Sequence, residues 1–489
     1  MNRVKRLVIV GGGTAGWIAA TWFSRRWGQL LDVIIIDKSQ PERVGVGEAT
    51  LLSFPSVMQN MGYRVEEWIN SIDATYKAGI LFPGWGKEDN TVWHPFGFTS
   101  VGDEKIPMYD IWSNYQDQYD IKDISPLFRS SQEGKIEIDY VRDTYAYQID
   151  CGKLVRFLQY NHRCEYIQSD VKKVVKNGDD IEKLVLEDGS EIVGDLYIDC
   201  TGWKQLLIGG DDNIDFSDRL FIDTALAGRV KYENDNEQHP YTACPAQEHG
   251  WIWKIPTRSR IGTGYCFNRS ITDPDIVADA FVKHWDNRIS KDELRLLDWK
   301  PQRVRKFWKG NVVSIGLSAG FIEPLESTGL ALMIRGCEYL EECMYACVYN
   351  PHYEPDVYNV RMKVAFESAV DYITMHYTYS QRKGKFWDYV RQNIKKPGMQ
   401  EFMEGQINDP LEVTFQNDRT SSFFGGSNWH VWLLQIMPEV VPKKYWHSLS
   451  PDIVPRFEKY INKLDNNVLD ATPQKILLKE WYGQKNCMV

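Results

Sequence analysis

The sequence predicts an α/β protein built on a parallel sheet, and three observations carry that expectation. A β-branched run, Arg6-Leu-Val-Ile-Val10, ends at Gly11-Gly-Gly-Thr-Ala-Gly16 and passes into the helix-like Trp17-Ile-Ala-Ala-Thr-Trp-Phe23. A second run, Val33-Ile-Ile-Ile36, closes on Asp37, twenty-one residues past Gly16. Further strand-like stretches lie far downstream, and a sheet revisited after long intervals implies a discontinuous domain with insertions.

Taken in order, the first unit reads as strand, tight turn, helix, strand, with an acid at the end of the second strand. That context turns a bare GxGxxG into a dinucleotide-binding expectation. Gly11 allows the turn, Gly13 lets backbone approach a pyrophosphate, and Gly16 lets the helix pack on the strand. The helix N-terminal N–H groups are left to hold phosphate, and Asp37 to accept from a ribose hydroxyl. Between residues 182 and 202 two strands surround Glu187-Asp-Gly-Ser190 and lead to Asp195-Leu-Tyr-Ile-Asp-Cys-Thr-Gly202. A third buried strand, Val312-Val-Ser-Ile-Gly316, runs into a loop and a helix beginning near Gly329. NAD and FAD share the fingerprint, and the discontinuous pattern favours FAD. The expected cofactor domain is residues 1–74, 141–234 and 301–340. Residues 75–140 and 235–300, rich in Trp, Tyr and Pro, are expected as mixed sheet and loop over the cofactor. After that the helical period dominates: Tyr358, Met362, Phe366 and Val370 recur every four positions, followed by Ile373 and Tyr377, so 341–489 is expected to be mainly helical. That stripe reads as core without chemistry.

Composition bounds the function. A chain of 489 residues, 43% hydrophobic and 25% charged, folds and can bury a large cofactor. With 57 Lys plus Arg against 67 Asp plus Glu, the net charge of −10 disfavours nucleic acid and anionic lipid as partners. No apolar run approaches the roughly 20 residues of a bilayer crossing, and Leu7–Val10 leads into glycines rather than a signal-peptide core, so a cytoplasmic protein is expected. Nine cysteines without a CxxC or a zinc-spaced box read as free thiols with no metal site and no disulfide-reductase chemistry. Eighteen Trp, 26 Tyr and 20 Phe supply both core and partners for a flat ligand.

Four segments carry a resemblance to a known family. They are Trp251-Ile-Trp-Lys-Ile-Pro256, a WxWxIP signature; Val46-Gly-Glu-Ala-Thr50; Phe321-Ile-Glu-Pro-Leu-Glu-Ser-Thr-Gly329; and Tyr76-Lys77-Ala-Gly, shortly before His94-Pro-Phe-Gly97. Asp199-Cys-Thr-Gly202, and His376-Tyr377 with Arg382 and Phe386-Trp387, support them. On these motifs the sequence resembles the flavin-dependent halogenases of the tryptophan-halogenase type. The resemblance implies a glutathione-reductase-type FAD-binding Rossmann fold with a mixed β-sheet substrate region and a helical C-terminal part. It implies an enzyme in which FADH2, oxygen and chloride, bromide or iodide make hypohalous acid, which halogenates an aromatic carbon away from the cofactor. It also implies a separate flavin reductase and a small aromatic substrate; a homo-oligomer is possible.

By the same resemblance, Gly11, Gly13, Thr14, Ala15, Gly16, Asp37, Ala49, Asp199, Gly316, Ser327 and Leu330 would contact FAD. The backbone of Thr328 and Gly329 would hold halide, where helix N-terminal N–H groups also favour an anion; Ser327 or Thr328 can equally act as an N-cap. Trp251 and Trp253 would form the wall that keeps substrate off the flavin. Lys77, among small and apolar neighbours, is expected in a partly buried space, where it would hydrogen-bond hypohalous acid or, as a neutral amine, form a haloamine. Glu326 would orient the oxidant with Lys77 and accept or stabilise the charge of the substitution intermediate. Glu323 is a decoy of the same type, separated only by the Glu-Ser-Thr-Gly match. His94 and Phe96 would flank the aromatic substrate, Phe96 by stacking.

The sequence departs from the pattern at the substrate end. Gly316-Leu-Ser318 lacks the acid that related aromatic hydroxylases carry, which favours a halogenase over an aromatic monooxygenase, and a looser flavin. Leu51-Leu-Ser-Phe54 replaces a proline-containing continuation, and Tyr147-Gln148 stands where relatives often have Tyr-His. The stretch that clamps the ammonium and carboxylate of free tryptophan is not recognisable, and only Asn428-Trp-His-Val-Trp432 and Pro438 resemble that region. This argues for indoles, phenols or a larger aromatic in a more open site.

Overall fold

The computed structural model describes residues 4–38, 47–87, 90–96, 118–137, 145–349, 355–396, 426–437 and 471–483, with isolated positions between 424 and 462. Val46, Gly97, Pro438 and Cys487 lie outside the described residues, as does much of the 75–140 insertion.

Arg6–Val10 and Asp32–Ile36 form adjacent parallel strands, in register from Arg6 opposite Asp32 to Val10 opposite Ile36. They sit inside a six-stranded sheet whose order is Trp308–Lys309, Val312–Ser314, Leu196–Asp199, Arg6–Val10, Asp32–Ile36, Glu165–Ile167. All neighbours are parallel except the first pair. A parallel sheet covered on both faces demands near-continuous apolar strands, and Leu7, Val8, Ile9 and Ile35 are fully buried. The long-range pairing of Leu196–Asp199 and Val312–Ser314 onto the first strand makes this sheet discontinuous in sequence. The third strand is shorter than expected: it stops at Ser314, and Gly316–Ser318 is a helical turn. The Gly-rich turn, Asp37, Cys200–Gly202 and Leu317 all follow the carboxyl ends of these strands, where open α/β sheets bind ligands.

The second sheet has eight strands. Arg295–Asp298, Thr224–Val230, Ile261–Phe267, Gly250–Pro256, Thr242–Ala243, Gly79–Pro83 and Thr91–Pro95 follow one another, with Ala246–Gln247 hairpinned onto Gly250–Trp251. Thr224–Val230 lies ahead of the expected boundary at residue 235, yet it pairs along its whole length with Ile261–Phe267. Trp253 faces Gly264 across this sheet, and a Cβ on Gly264 would stand 2.1 Å from the indole, so only glycine leaves room for the ring.

A small antiparallel sheet joins the two. Ala146–Ile149 pairs with Glu48–Ala49 on one side and Thr75–Lys77 on the other, bringing Glu48-Ala-Thr50 beside Lys77. Gln148, the departure from Tyr-His, stitches this sheet down: its amide donates to Thr75 Oγ1 at 3.1 Å and accepts from Thr242 Oγ1 at 3.2 Å.

The C-terminal part supplies the helices Thr328–Tyr349, Asp356–Tyr379, Lys385–Asn393, Gly426–Ile436 and Gln474–Gly483. The stripe Tyr358, Met362, Phe366, Val370, Ile373 and Tyr377 is buried throughout. Among the described residues no helix is long and apolar enough to cross a membrane, and no disulfide joins the described cysteines.

Candidate active site

A cavity of about 1240 Å³ opens along the carboxyl edge of the parallel sheet. It exceeds the roughly 300–1,000 Å³ of pockets for drug-sized ligands. Its lining includes Gly11–Ala15, Asp37, Glu187 and Leu317, together with Trp251, Trp253, Ser327, Gly329 and Leu330. Gly13 precedes the helix Thr14–Trp27 without a side-chain cap, so the cap leaves that turn's backbone donors to a bound anion. A Cβ on Gly11 would meet the Cys200 carbonyl at 2.3 Å, and one on Gly16 the Gly11 carbonyl at 1.8 Å, so the turn closes only with glycine. The buried Trp253 indole N–H has no acceptor among the described residues, and Trp253 lines the same cavity. Size, uncapped turn, terminal acid and aromatic far wall fit an extended dinucleotide carrying a flat ring.

Three of the residues expected to contact the cofactor, Gly16, Asp199 and Gly316, and one expected to hold halide, Thr328, sit beneath this lining. Asp199 is turned away: its Oδ1 accepts from Thr201 N and Oγ1, and its Oδ2 from Leu207 N and Ile208 N. Every strong acceptor direction of the carboxylate is used to brace the turn after its strand, and Cys200 and Thr201 face the cavity instead. Gly316, at φ 82°, supports Ala15 from behind, where a Cβ would come within 2.5 Å. Gly16 is a packing residue, as its spacing suggested. Thr328 is fully buried with its hydroxyl toward the Glu323 carbonyl at 3.5 Å, leaving Gly329 and Leu330 on the cavity.

The far end of the cavity is closed by an unusual corner. Glu326 and Ser327 both adopt left-handed backbone, at φ 62° and 61°, immediately before the helix Thr328–Tyr349. Such a conformation costs a non-glycine residue about 1–3 kcal/mol and persists only where its surroundings hold it. Three side chains do so. Lys77 Nζ donates to Ser327 Oγ at 2.9 Å and to the Thr50 carbonyl at 3.2 Å. His94 Nδ1 lies 3.0 and 2.9 Å from the two Glu326 oxygens, and His376 Nε2 lies 2.8 Å from Oε1. Glu326 and Ser327 thus touch the cavity on one side and these polar groups on the other.

Lys77, at the end of the strand Thr75–Lys77, has no solvent exposure, and its ammonium stands 4.5 Å above the Phe96 ring. Burial pulls its pKa down to about 7, with Glu326 and Glu48 opposing the shift. Burial alone would push Glu326 up, but the charges and hydrogen bonds of His94 and His376 outweigh it and keep the carboxyl ionised well below its ordinary range. Burial works against charge on His94 as well, yet Glu326 prevails and raises its pKa. For His376 burial prevails and its pKa falls. Its Nδ1 donates to the Tyr372 carbonyl at 2.8 Å, which fixes the ring with Nε2 toward Glu326.

Glu323 is separated from Glu326 by geometry. Its Oε1 accepts from Tyr377 Oη at 2.6 Å, its Oε2 has no partner among the described residues, and burial raises its pKa to about 8. Glu48, partly buried and with desolvation raising its pKa to about 7, lies on the cavity side. The structure therefore brings Lys77, Glu326, Ser327, His94 and Phe96 together. Both nitrogens of His94 are engaged, the second with Asn428 Oδ1 at 3.0 Å, so this ring holds Glu326. Sequence reasoning assigned no site role to His376, Tyr377 or Glu48; the first two were visible only as part of a supporting motif and a core stripe.

Architecture and site together define a class: a dinucleotide-dependent oxidoreductase whose large cofactor cavity is partitioned from a second, buried ionic site. Within it the chain belongs to the tryptophan halogenase family, whose model matches residues 6–450, and is a flavin-dependent halogenase. It is 29% identical to the tryptophan 6-halogenase ThaL of Streptomyces albogriseolus over 79% of this chain and 78% of that protein. To the tryptophan 7-halogenase RebH of Lentzea aerocolonigenes it is 27% identical over 96% and 97%. Among solved structures it resembles Xcc4156, a flavin-dependent halogenase from Xanthomonas campestris, with a TM-score of 0.86 and 27% identity over 98% of this chain and 99% of that one.

Proposed function

We propose that this chain binds FADH2 in the large cavity and uses oxygen and a halide to halogenate an indole- or phenol-like aromatic compound at the Lys77 site. The observation that carries the reading is the Glu326–Ser327 corner, which faces the cofactor cavity on one side and Lys77 and two histidines on the other. Bound reduced flavin supplies, with oxygen and halide, hypohalous acid. Gly11, Gly13, Thr14, Ala15, Asp37, Ala49, Ser327 and Leu330 would hold FAD, with Gly16, Gly316 and Asp199 supporting them from below. The backbone at Thr328 and Gly329 offers the anion site, since the first turn of their helix presents unpaired N–H groups. Trp251 and Trp253, both buried on the cavity wall, keep the organic substrate out.

Lys77 then aims the oxidant. Two acceptors fix its Nζ, and a remaining N–H can donate to the hydroxyl of hypohalous acid, making the halogen more electrophilic. The aromatic carbon forms a bond to halogen as the halogen–oxygen bond breaks, the hydroxide leaves as water with a proton from the Lys77 ammonium, and the ring proton passes to the Glu326 carboxylate. His94 and His376 keep that carboxylate ionised and oriented, and Phe96 offers a face for the ring. A separate reductase would deliver FADH2, consistent with the acid-free Gly316–Ser318 turn. The relatives' tryptophan positions do not transfer readily, because the clamp for a free amino acid is not recognisable in this sequence.

The test is mass spectrometry of products formed from chemically reduced FAD, oxygen, bromide and a panel of indoles and phenols. Brominated products are expected. Products that gain oxygen and never halogen would replace this reading with an aromatic monooxygenase.

A further inference from the structure

The motif His376-Tyr377, with Arg382 and Trp387 behind it, enters the reaction described above only through the contact of His376 with Glu326, and Tyr377 not at all, yet both side chains converge on the partition. Both residues are almost completely buried near the end of the helix Asp356–Tyr379. Consecutive helical residues point about 100° apart, and here the two directions reach opposite ends of one loop. His376 is pinned to its own helix by Nδ1 and meets Glu326 with Nε2. Tyr377 donates to Glu323, three residues earlier in the loop, and accepts from the Trp251 indole N–H at 2.9 Å. A phenylalanine would fill the same space, so the hydroxyl is present for its two partners. Rings fix both side chains: Trp432 lies 4.0 Å from His376, centroid to centroid, and Trp85 lies 5.5 Å from Tyr377. A second tie runs parallel to the first, since Trp387 Nε1 donates to the Gln247 carbonyl at 2.7 Å and Gln247 pairs with Gly250 beside Trp251.

We propose that His376 and Tyr377 act as one positioning element: His376 holds the Glu326–Ser327 corner, Tyr377 ties the Trp251 wall to the Glu323 end of the same loop, and oxidant is thereby passed to Lys77 rather than lost. This rests on the proposed function and adds to it a determinant of coupling between oxidant formation and use. Neither side chain is a catalytic residue, as neither borders the cofactor cavity or touches Lys77.

The full chain, supplied with chemically reduced FAD, oxygen, bromide and an indole, gives three readouts: flavin affinity, brominated indole per flavin oxidised, and bromination of a 1,3-diketone trap in bulk solution. In Tyr377→Phe the ratio of trapped to productive bromine is expected to rise about tenfold, the scale set by stranding buried donors, with flavin affinity within about twofold. Glu323→Leu should give a similar rise, and combining it with Tyr377→Phe should add little, because the two changes break one chain of contacts. His376→Gln, which keeps a donor toward Glu326, should retain product where His376→Leu loses it. Should His376→Leu fail to bind flavin, the Tyr377→Phe and His376→Gln results carry the test. An unchanged partition ratio in Tyr377→Phe, or equal loss in both His376 variants, overturns the proposal. An unsubstituted chain that makes neither brominated indole nor trapped bromine removes the functional reading, and this inference with it.

Discussion

Lys77 and Glu326 show how burial and neighbours divide two charges between two tasks. The ammonium, fully desolvated, has its pKa lowered to about 7, whereas the carboxylate, equally buried, stays ionised because two histidines face it. As pH rises through about 7 the ammonium is progressively lost while Glu326 does not change. Product formed per flavin oxidised should therefore fall along a single descending limb above that pH; a rising limb would mean that the neutral amine is the active form. Glu326→Gln should lower turnover by about 10²–10⁴-fold, the usual weight of a positioned proton acceptor, with flavin affinity retained. An unchanged rate would transfer the role to Glu323. Lys77 was legible through the resemblance of Tyr76-Lys77-Ala-Gly to the family motif, and its small and apolar neighbours in sequence agreed with burial. His376 was not, because its partner Glu326 stands 50 residues away and its own helix carries the buried stripe of an ordinary core.

At the scale of elements, the turn after the first strand and the Glu326–Ser327 corner are both backbone devices, but only the first announces itself. The glycines of the turn are demanded by close contacts, and Gly16→Ala places a methyl 1.8 Å from the Gly11 carbonyl. Flavin titration of that variant should show affinity reduced tenfold or more, about 1.4 kcal/mol, or no folded protein. The corner uses residues that prefer other conformations, so no local pattern marks it; it exists because Lys77, His94 and His376 hold it. Glu323 in the same loop has a consequence for stability. Its pKa is raised to about 8, so the folded chain keeps a proton that the unfolded chain releases near 4.5, and stability falls as pH rises across that window. Glu323→Gln keeps an acceptor for Tyr377 and removes the ionisation. Its apparent Tm, measured from pH 5 to pH 8, should gain on the unsubstituted protein by a few degrees as pH rises; parallel curves would show that Glu323 does not titrate there. The strand Thr224–Val230 was misplaced for a related reason, since its partners are set by pairing across the sheet.

The whole molecule separates a dinucleotide cavity from a buried ionic site, and much of that plan is written locally: strand, glycine turn, helix and acid at one end, WxWxIP and Glu-Ser-Thr-Gly at the other. What the sequence conceals is how these pieces meet, because the small sheet linking Glu48–Ala49, Ala146–Ile149 and Thr75–Lys77 and the helix carrying His376 join segments far apart in the chain. The substrate end follows from what is missing. Without a recognisable clamp for an amino acid backbone, indoles and phenols lacking that group should show kcat/KM at least equal to that of free L-tryptophan in competition assays. Tight, regiospecific turnover of L-tryptophan alone would contradict the open site. The partition itself is tested most directly with Lys77→Ala in the presence of reduced FAD, oxygen, bromide and indole. Flavin should still be oxidised and bromine should still reach a trap in solution, while brominated indole disappears; brominated indole formed at the unsubstituted rate would show that the oxidant needs no aiming by Lys77.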